Sequence, residues 1–198
     1  MSPNNVHIRT LRFVKTQNCT NSKVEWYVLR VTYQRELVAK RYLDERGIEN
    51  FVPIRTVQCP TRSGRKVTKP KALLHNYIFV HSTREVVDDL KQFHLPYLRY
   101  VMHTQNSERQ VMVVPEEQMH SFILIAGSEQ EGVELLPCQE VELNAGQRVK
   151  VTGGLFAGAE GVLTRIIGKR AHRVMVRIEG IAAVAAPTIP SQFIEIIE

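Results

Sequence analysis

Gly146-Gln147-Arg148-Val149-Lys150-Val151-Thr152-Gly153-Gly154-Leu155-Phe156-Ala157-Gly158-Ala159-Glu160-Gly161-Val162 is the stretch that sets the fold of the C-terminal part of this chain. Val149 and Val151 alternate with charged residues, which is the period of a strand with one buried face. Glycines at 153, 154, 158 and 161 then predict a tight, non-helical corner, because glycine reaches φ > 0 without a Cβ clash. Val162, Thr164 and Ile166 restart the alternation. Further strands are predicted near 172–179, 182–186 and 193–196, broken by Gly and Pro. With those near 147–152 and 161–167, this predicts a small β-barrel over residues 143–198.

Upstream the composition changes sharply. Residues 128–142 carry five Glu and neither Lys nor Arg, between two basic blocks, and predict an acidic linker. Residues 24–127 read as an α+β domain with an antiparallel sheet. Glu25 to Thr32 is β-branched and aromatic and predicts a buried strand, with Trp26 and Tyr27 in the core. Gln34 to Arg46 has helical spacing, with Gly47 placed as its C-cap. Ile48 to Val57 predicts a strand interrupted at Pro53.

Residues 55–71, RTVQCPTRSGRKVTKPK, hold six Lys or Arg and no acid. Ser63-Gly64 supplies a turn, so a basic β-hairpin is predicted. Leu73 to His81 predicts a core strand. Ser82 to Glu85 has capping-box spacing and opens a helix with Val86, Leu90 and Phe93 at i, i+4, i+7. Tyr97 to Met102 and Gln110 to Val114 predict two short strands. A third helix starts at Pro115, has Met119, Phe122, Ile123 and Ala126 on one face, and stops at Gly127. Residues 1–23 are polar and aperiodic and are expected to form a flexible extension.

Composition excludes several classes. The chain has 198 residues, 43% of them hydrophobic, enough for a real core and too apolar for disorder. No apolar run approaches the length of a membrane span. The N-terminus lacks the pattern of a signal peptide, so a cytoplasmic protein is expected. Three widely spaced cysteines and seven scattered histidines form no metal-binding spacing, so no metal is expected. No nucleophile elbow, P-loop or dinucleotide fingerprint is present, so neither a catalytic residue nor a cofactor is assigned and the chain is not read as an enzyme. The net charge of +6, concentrated in blocks, makes nucleic acid a candidate partner.

The glycine-cornered hairpin resembles a KOW motif, and the two halves together resemble the NusG family of transcription elongation and antitermination factors, with an NGN domain followed by a KOW barrel. The resemblance rests on Trp26-Tyr27-Val28-Leu29, on Phe51-Val52-Pro53 after a basic helix, and on Leu74-His75-Asn76-Tyr77-Ile78-Phe79-Val80 after a charged hairpin. Leu95 to Met102, Val113-Val114-Pro115, Val151 to Gly154 and Ile178-Glu179-Gly180 are similar to specialised paralogues of the UpxY type. That subfamily implies read-through of early termination in surface polysaccharide operons.

The resemblance also implies sites. Phe51, Leu74, Asn76 and Tyr77 would form the apolar surface that receives the clamp helices of RNA polymerase, a helix-in-groove mode. Arg35, Lys40 and Arg41, with Arg62, Arg65 and Lys66 of the hairpin, would lie near the non-template DNA strand or nascent RNA and give affinity by binding phosphates. Tyr33, Gln34 and His94 are candidates to stack on or read bases. Phe156, Glu179 and Ile181 would form the partner surface of the KOW barrel. General NusG proteins place an exposed Phe where Glu179 stands, so binding to Rho is doubtful here. A monomer is expected. The alternative is an RNA-binding or ribosome-associated KOW protein.

Overall fold

A computed structural model describes residues 22–60, 65–105, 107–137, 146–165 and 172–197. The expected extension over 1–23 falls almost entirely outside these residues, as do Arg62 and the Ser63-Gly64 turn.

The first sheet is antiparallel, with strand order β2 (Asn50–Phe51), β5 (Tyr77–Ser82), β1 (Glu25–Val31) and β6 (Leu98–Tyr100), and β9 (Val113–Val114) also pairs with β1. β1 is central, which explains its apolar run Trp26–Leu29: both faces of that stretch are covered. Its side chains alternate between two cores. Tyr27, Leu29 and Val31 join Ile78 and Val80 of β5 beneath α1 (Glu36–Asp44) and α2 (Arg84–Asp89), whose Ala39, Leu43 and Val87 are buried there. Trp26, Val28 and Phe79 face the other way, toward Met119, Phe122 and Ile125 of α3 (Glu116–Ala126). Phe51, Phe79 and Phe122 form an aromatic trio with centroid separations of 5.6 to 6.4 Å, within the range in which ring pairs add about 0.5–1.5 kcal/mol beyond area burial.

Pro53 interrupts the sheet as expected, separating β2 from β3 (Ile54–Pro60). β3 pairs with β4 (Lys66–Ala72) in a two-stranded ribbon whose strands end opposite one another at Pro60 and Lys66. Gly47, at φ +66°, ends α1. Two expectations require correction. The second helix buries Val87 and Leu90, while Val86 and Phe93 are exposed. A π turn over Leu90–His94 takes Phe93 out of the i, i+4, i+7 stripe, and Val86 lies on the outer face of α2. Its N-cap is Thr83, whose hydroxyl accepts from the Val86 N–H, rather than Ser82. The strands expected over 97–102 and 110–114 are divided further. The chain leaves the sheet at Val101, runs through a hairpin of β7 (Met102–Gln105) and β8 (Glu108–Val111), and returns where the Met112 N–H bonds the Val101 carbonyl.

The second sheet is six-stranded, antiparallel and barrel-like. Its order is β10 (Glu134–Pro137), β14 (Ala182–Ala185), β13 (His172–Ile178), β12 (Glu160–Arg165), β11 (Gln147–Val151) and β15 (Ile194–Ile196). β10 lies inside the segment expected to be an acidic linker. It pairs with β14, and Glu134 forms an ion pair with Arg173 at 3.3 Å. Charge content hid this strand, because Leu135 and Leu136 are only two apolar residues among glutamates. In the glycine corner, Gly158 adopts φ +92° as predicted, but Gly161 has a different role. A Cβ there would stand 2.5 Å from the Met175 carbonyl oxygen, so β12 and β13 approach too closely for any side chain.

The two sheets share one apolar core. Trp26, Phe122 and Ile125 belong to the same buried cluster as Val149, Val176 and Ile181. Polar bonds line this seam. The Gln118 amide donates to the Arg177 carbonyl, the Glu160 N–H to the Ser121 hydroxyl, and the Arg55 guanidinium to the Val133 carbonyl.

Candidate functional site

The end of the first sheet where β1 passes into α1 and the β4–β5 loop enters β5 gathers Tyr33, Gln34, Arg35, Leu74, Asn76 and Tyr77. Leu74 and Tyr77 are half-buried against the Trp26–Phe122 core, and Asn76 is held at φ +66°. Asn tolerates this region better than other non-glycine residues because its short amide bonds locally. The Asn76 carbonyl accepts the Val31 N–H at 2.8 Å, and Tyr77 pairs with Arg30. The structure therefore brings Leu74, Asn76 and Tyr77 together at one corner. Phe51 is half-buried against the same core, pairs with Phe79 on β5, and packs edge-on against Phe122 at 6.1 Å.

The adjacent turn is strained. Tyr33 and Gln34 both have positive φ, +62° and +52°, a conformation that costs about 1–2 kcal/mol per residue outside glycine. The turn leaves the Tyr33 side chain 82% exposed. The Arg35 guanidinium lies 5.6 Å from the Tyr33 ring and 5.3 Å from the Tyr97 ring, and the Tyr97 carbonyl accepts from the Thr32 N–H. Nearby, Tyr42 contacts the His94 ring at 5.9 Å and carries Arg46 over its face at 3.4 Å. Arginine interleaved with tyrosine and histidine in this way offers flat surfaces to a nucleobase and positive charge to its phosphate. The sequence pointed to Tyr33, Gln34, His94 and Arg35 but not to Tyr97 and Tyr42, since neither spacing nor period places them beside the turn.

Of the basic residues expected near nucleic acid, Arg41 is exposed on α1. Lys40 is engaged instead: its ammonium donates to Asp44 at 3.1 Å and to Asn50 at 3.5 Å. Partial burial alone would raise the Asp44 pKa. The bonds from Asn50 and Lys40 outweigh it and hold the carboxyl below its ordinary range. Arg65 and Lys66 are exposed at the start of β4, and Lys69 and Lys71 extend the basic ribbon.

The expected barrel surface is only partly present. Phe156 and Ile181 are 6% and 8% exposed and belong to the shared core, because the corner folds its apolar residues beneath the sheet. Glu179 stands out at 88% exposure, 3.7 Å from Arg177, and the exposed apolar residue of the glycine corner is Leu155.

Among the described residues, no group of three or more His, Cys, Asp or Glu could hold a metal ion. Among them, no helix is long and apolar enough to cross a membrane. The arrangement is one of exposed rings, cations and a half-buried apolar loop, which is suited to binding.

Residues 24–123 match the family described as NusG, transcription termination factor nusG. The chain belongs to the NusG family. It is a NusG-like transcription factor, and NusG proteins generally bind RNA polymerase. No curated protein sequence matches the chain. Among solved structures, one described as "Domain interaction in Thermotoga maritima NusG" is similar. Its identity is 22%, its TM-score is 0.41, and the match covers 89% of this chain and 98% of that chain.

Proposed function

We propose that this NusG-family chain binds the clamp helices of RNA polymerase through Phe51, Leu74, Asn76 and Tyr77. Tyr33, Arg35 and Arg41, together with the β3–β4 ribbon, hold the non-template strand of the transcription bubble. Held at both points, polymerase is kept elongating through early termination signals. The observation that carries this reading is the exposed Tyr33, forced outward by two consecutive left-handed residues and backed by Arg35. Exposure of a large ring at the cost of backbone strain is expected at a binding surface. The sequence similarities at Leu95 to Met102 and at Ile178-Glu179-Gly180 support assignment to the specialised UpxY-type paralogues, which serve surface polysaccharide operons.

In this reading residues 24–127 form the polymerase-binding domain and residues 143–198 the partner-binding domain. The segment 128–142 joins them and lends β10 to the second. Glu179 places a carboxylate on the barrel where general NusG carries an aromatic anchor, which disfavours Rho, since burying an unpaired charge is costly. The test is a transcription assay with purified polymerase on a template carrying a terminator. The protein is expected to raise read-through, and Tyr77→Ala and Tyr33→Ala with Arg35→Ala are each expected to reduce it. Equal read-through with and without the protein refutes the proposal.

A further inference from the structure

Glu36 stands between the two candidate surfaces, and neither reading uses it. It is the first residue of α1, only 3% exposed, in a helix whose N-cap residue makes no side-chain capping bond. One carboxyl oxygen meets His75 Nδ1 at 3.4 Å, and the other is buried with no hydrogen-bond partner. A buried carboxyl group with a single side-chain partner is costly to keep, so its retention calls for a role.

Its surroundings suggest one. His75 is half-exposed and sits in the loop between Leu74 and Asn76. Among the described residues, four non-glycine positions have positive φ, and three of them, Tyr33, Gln34 and Asn76, flank this pair. The Val31 N–H bonds the Asn76 carbonyl, so loop and turn are also joined through the backbone. Two strained segments that meet at one buried point cannot relax independently, because a packed arrangement shifts between discrete states rather than deforming smoothly.

We infer that Glu36 is a positioning residue: through His75 it holds the loop presenting Leu74, Asn76 and Tyr77 in register with the turn presenting Tyr33 and Arg35, so that occupation of one surface is felt at the other. The inference rests on the polymerase and nucleic-acid reading above for its functional consequence, but the link itself is a property of the free chain. Glu36 touches neither partner. It sets how the two binding segments stand relative to one another.

The link is tested first without any partner. Gln34→Gly relaxes the turn while leaving Glu36 and His75 in place. In the full chain it is expected to move the backbone amide resonances of residues 73–77. In Glu36→Leu and His75→Ala backgrounds, neither of which can form the bond, the same substitution should leave those resonances unmoved. His75→Ala lies at a half-exposed position and serves if Glu36→Leu does not fold. His75→Asn, whose amide nitrogen can take the place of Nδ1, should restore the response. No response in the parent chain overturns the inference. So does a response that survives in both backgrounds, which would trace it to the Val31–Asn76 backbone bond alone.

Binding is tested second, with purified core polymerase and a fluorescein-labelled twelve-nucleotide oligothymidylate. The oligonucleotide is expected to tighten polymerase binding about 5-fold, an effect abolished in His75→Ala and regained in His75→Asn. Coupled resonances with polymerase affinity indifferent to the oligonucleotide would uphold the positioning role and overturn the reading of the two surfaces.

Discussion

The Ser121 hydroxyl accepts the backbone N–H of Glu160 at 3.0 Å and donates to the Glu117 carbonyl at 2.9 Å, joining α3 of the first sheet layer to the opening strand of the barrel's second hairpin arm. Ser121 is 1% exposed, so water does not compete at this point of the seam. Ser121→Ala should leave the Glu160 N–H without its partner, at a cost of about 1–3 kcal/mol. Amide exchange at Glu160 is expected to quicken and the denaturant midpoint to fall. An unchanged midpoint with unchanged exchange would show that the bond contributes nothing to seating the barrel.

Tyr77→Ala should weaken binding to polymerase by about 2 kcal/mol, the scale of an interface hot spot. Tyr77 opens β5 and is only half-buried, so the sheet should survive the truncation. Titration of polymerase with the variant at matched thermal stability provides the check, and parent-like affinity would remove Tyr77 from the interface.

The β3–β4 ribbon should act through charge. Lys66, Lys69 and Lys71 are exposed along one strand. Changing all three to Gln should flatten the dependence of log affinity on log salt for an elongation complex, by about 0.7–0.9 for each phosphate that the variant no longer neutralises. Identical slopes for parent and variant would assign the ribbon to solvent.

Stability should fall in alkali. Tyr100 has its pKa raised well above its ordinary value of 10.0, first by burial and then by the negative charge of Asp88, and burial likewise raises Tyr97 and Tyr27. Above pH 10 the unfolded chain releases these protons while the folded chain retains them. The folded state then binds more protons, so the stabilisation present below pH 10 is lost as pH rises toward the folded-state values. Urea midpoints at neutral and alkaline pH should show this loss, and Tyr100→Phe should reduce it. A loss of equal size in the variant would place its origin in other groups.

Local chemistry determined the element types of this protein. Val149 and Val151, the glycine corner, the apolar run of β1 and the stripe of α3 each carry a period or a turn residue that a segment of chain expresses without help from distant residues. The basic ribbon was legible for the same reason. Tertiary structure decided which faces meet. The burial of Phe156 and Ile181 and the recruitment of β10 from an acidic stretch both depend on partners remote in sequence. Arg35 finds Tyr97, and Glu36 finds His75, across long separations in sequence. Such pairings carry no periodic signal. They arise because β1 and β5 lie side by side and bring their ends to one corner, where backbone strain and a buried carboxyl group are held in place by everything packed around them.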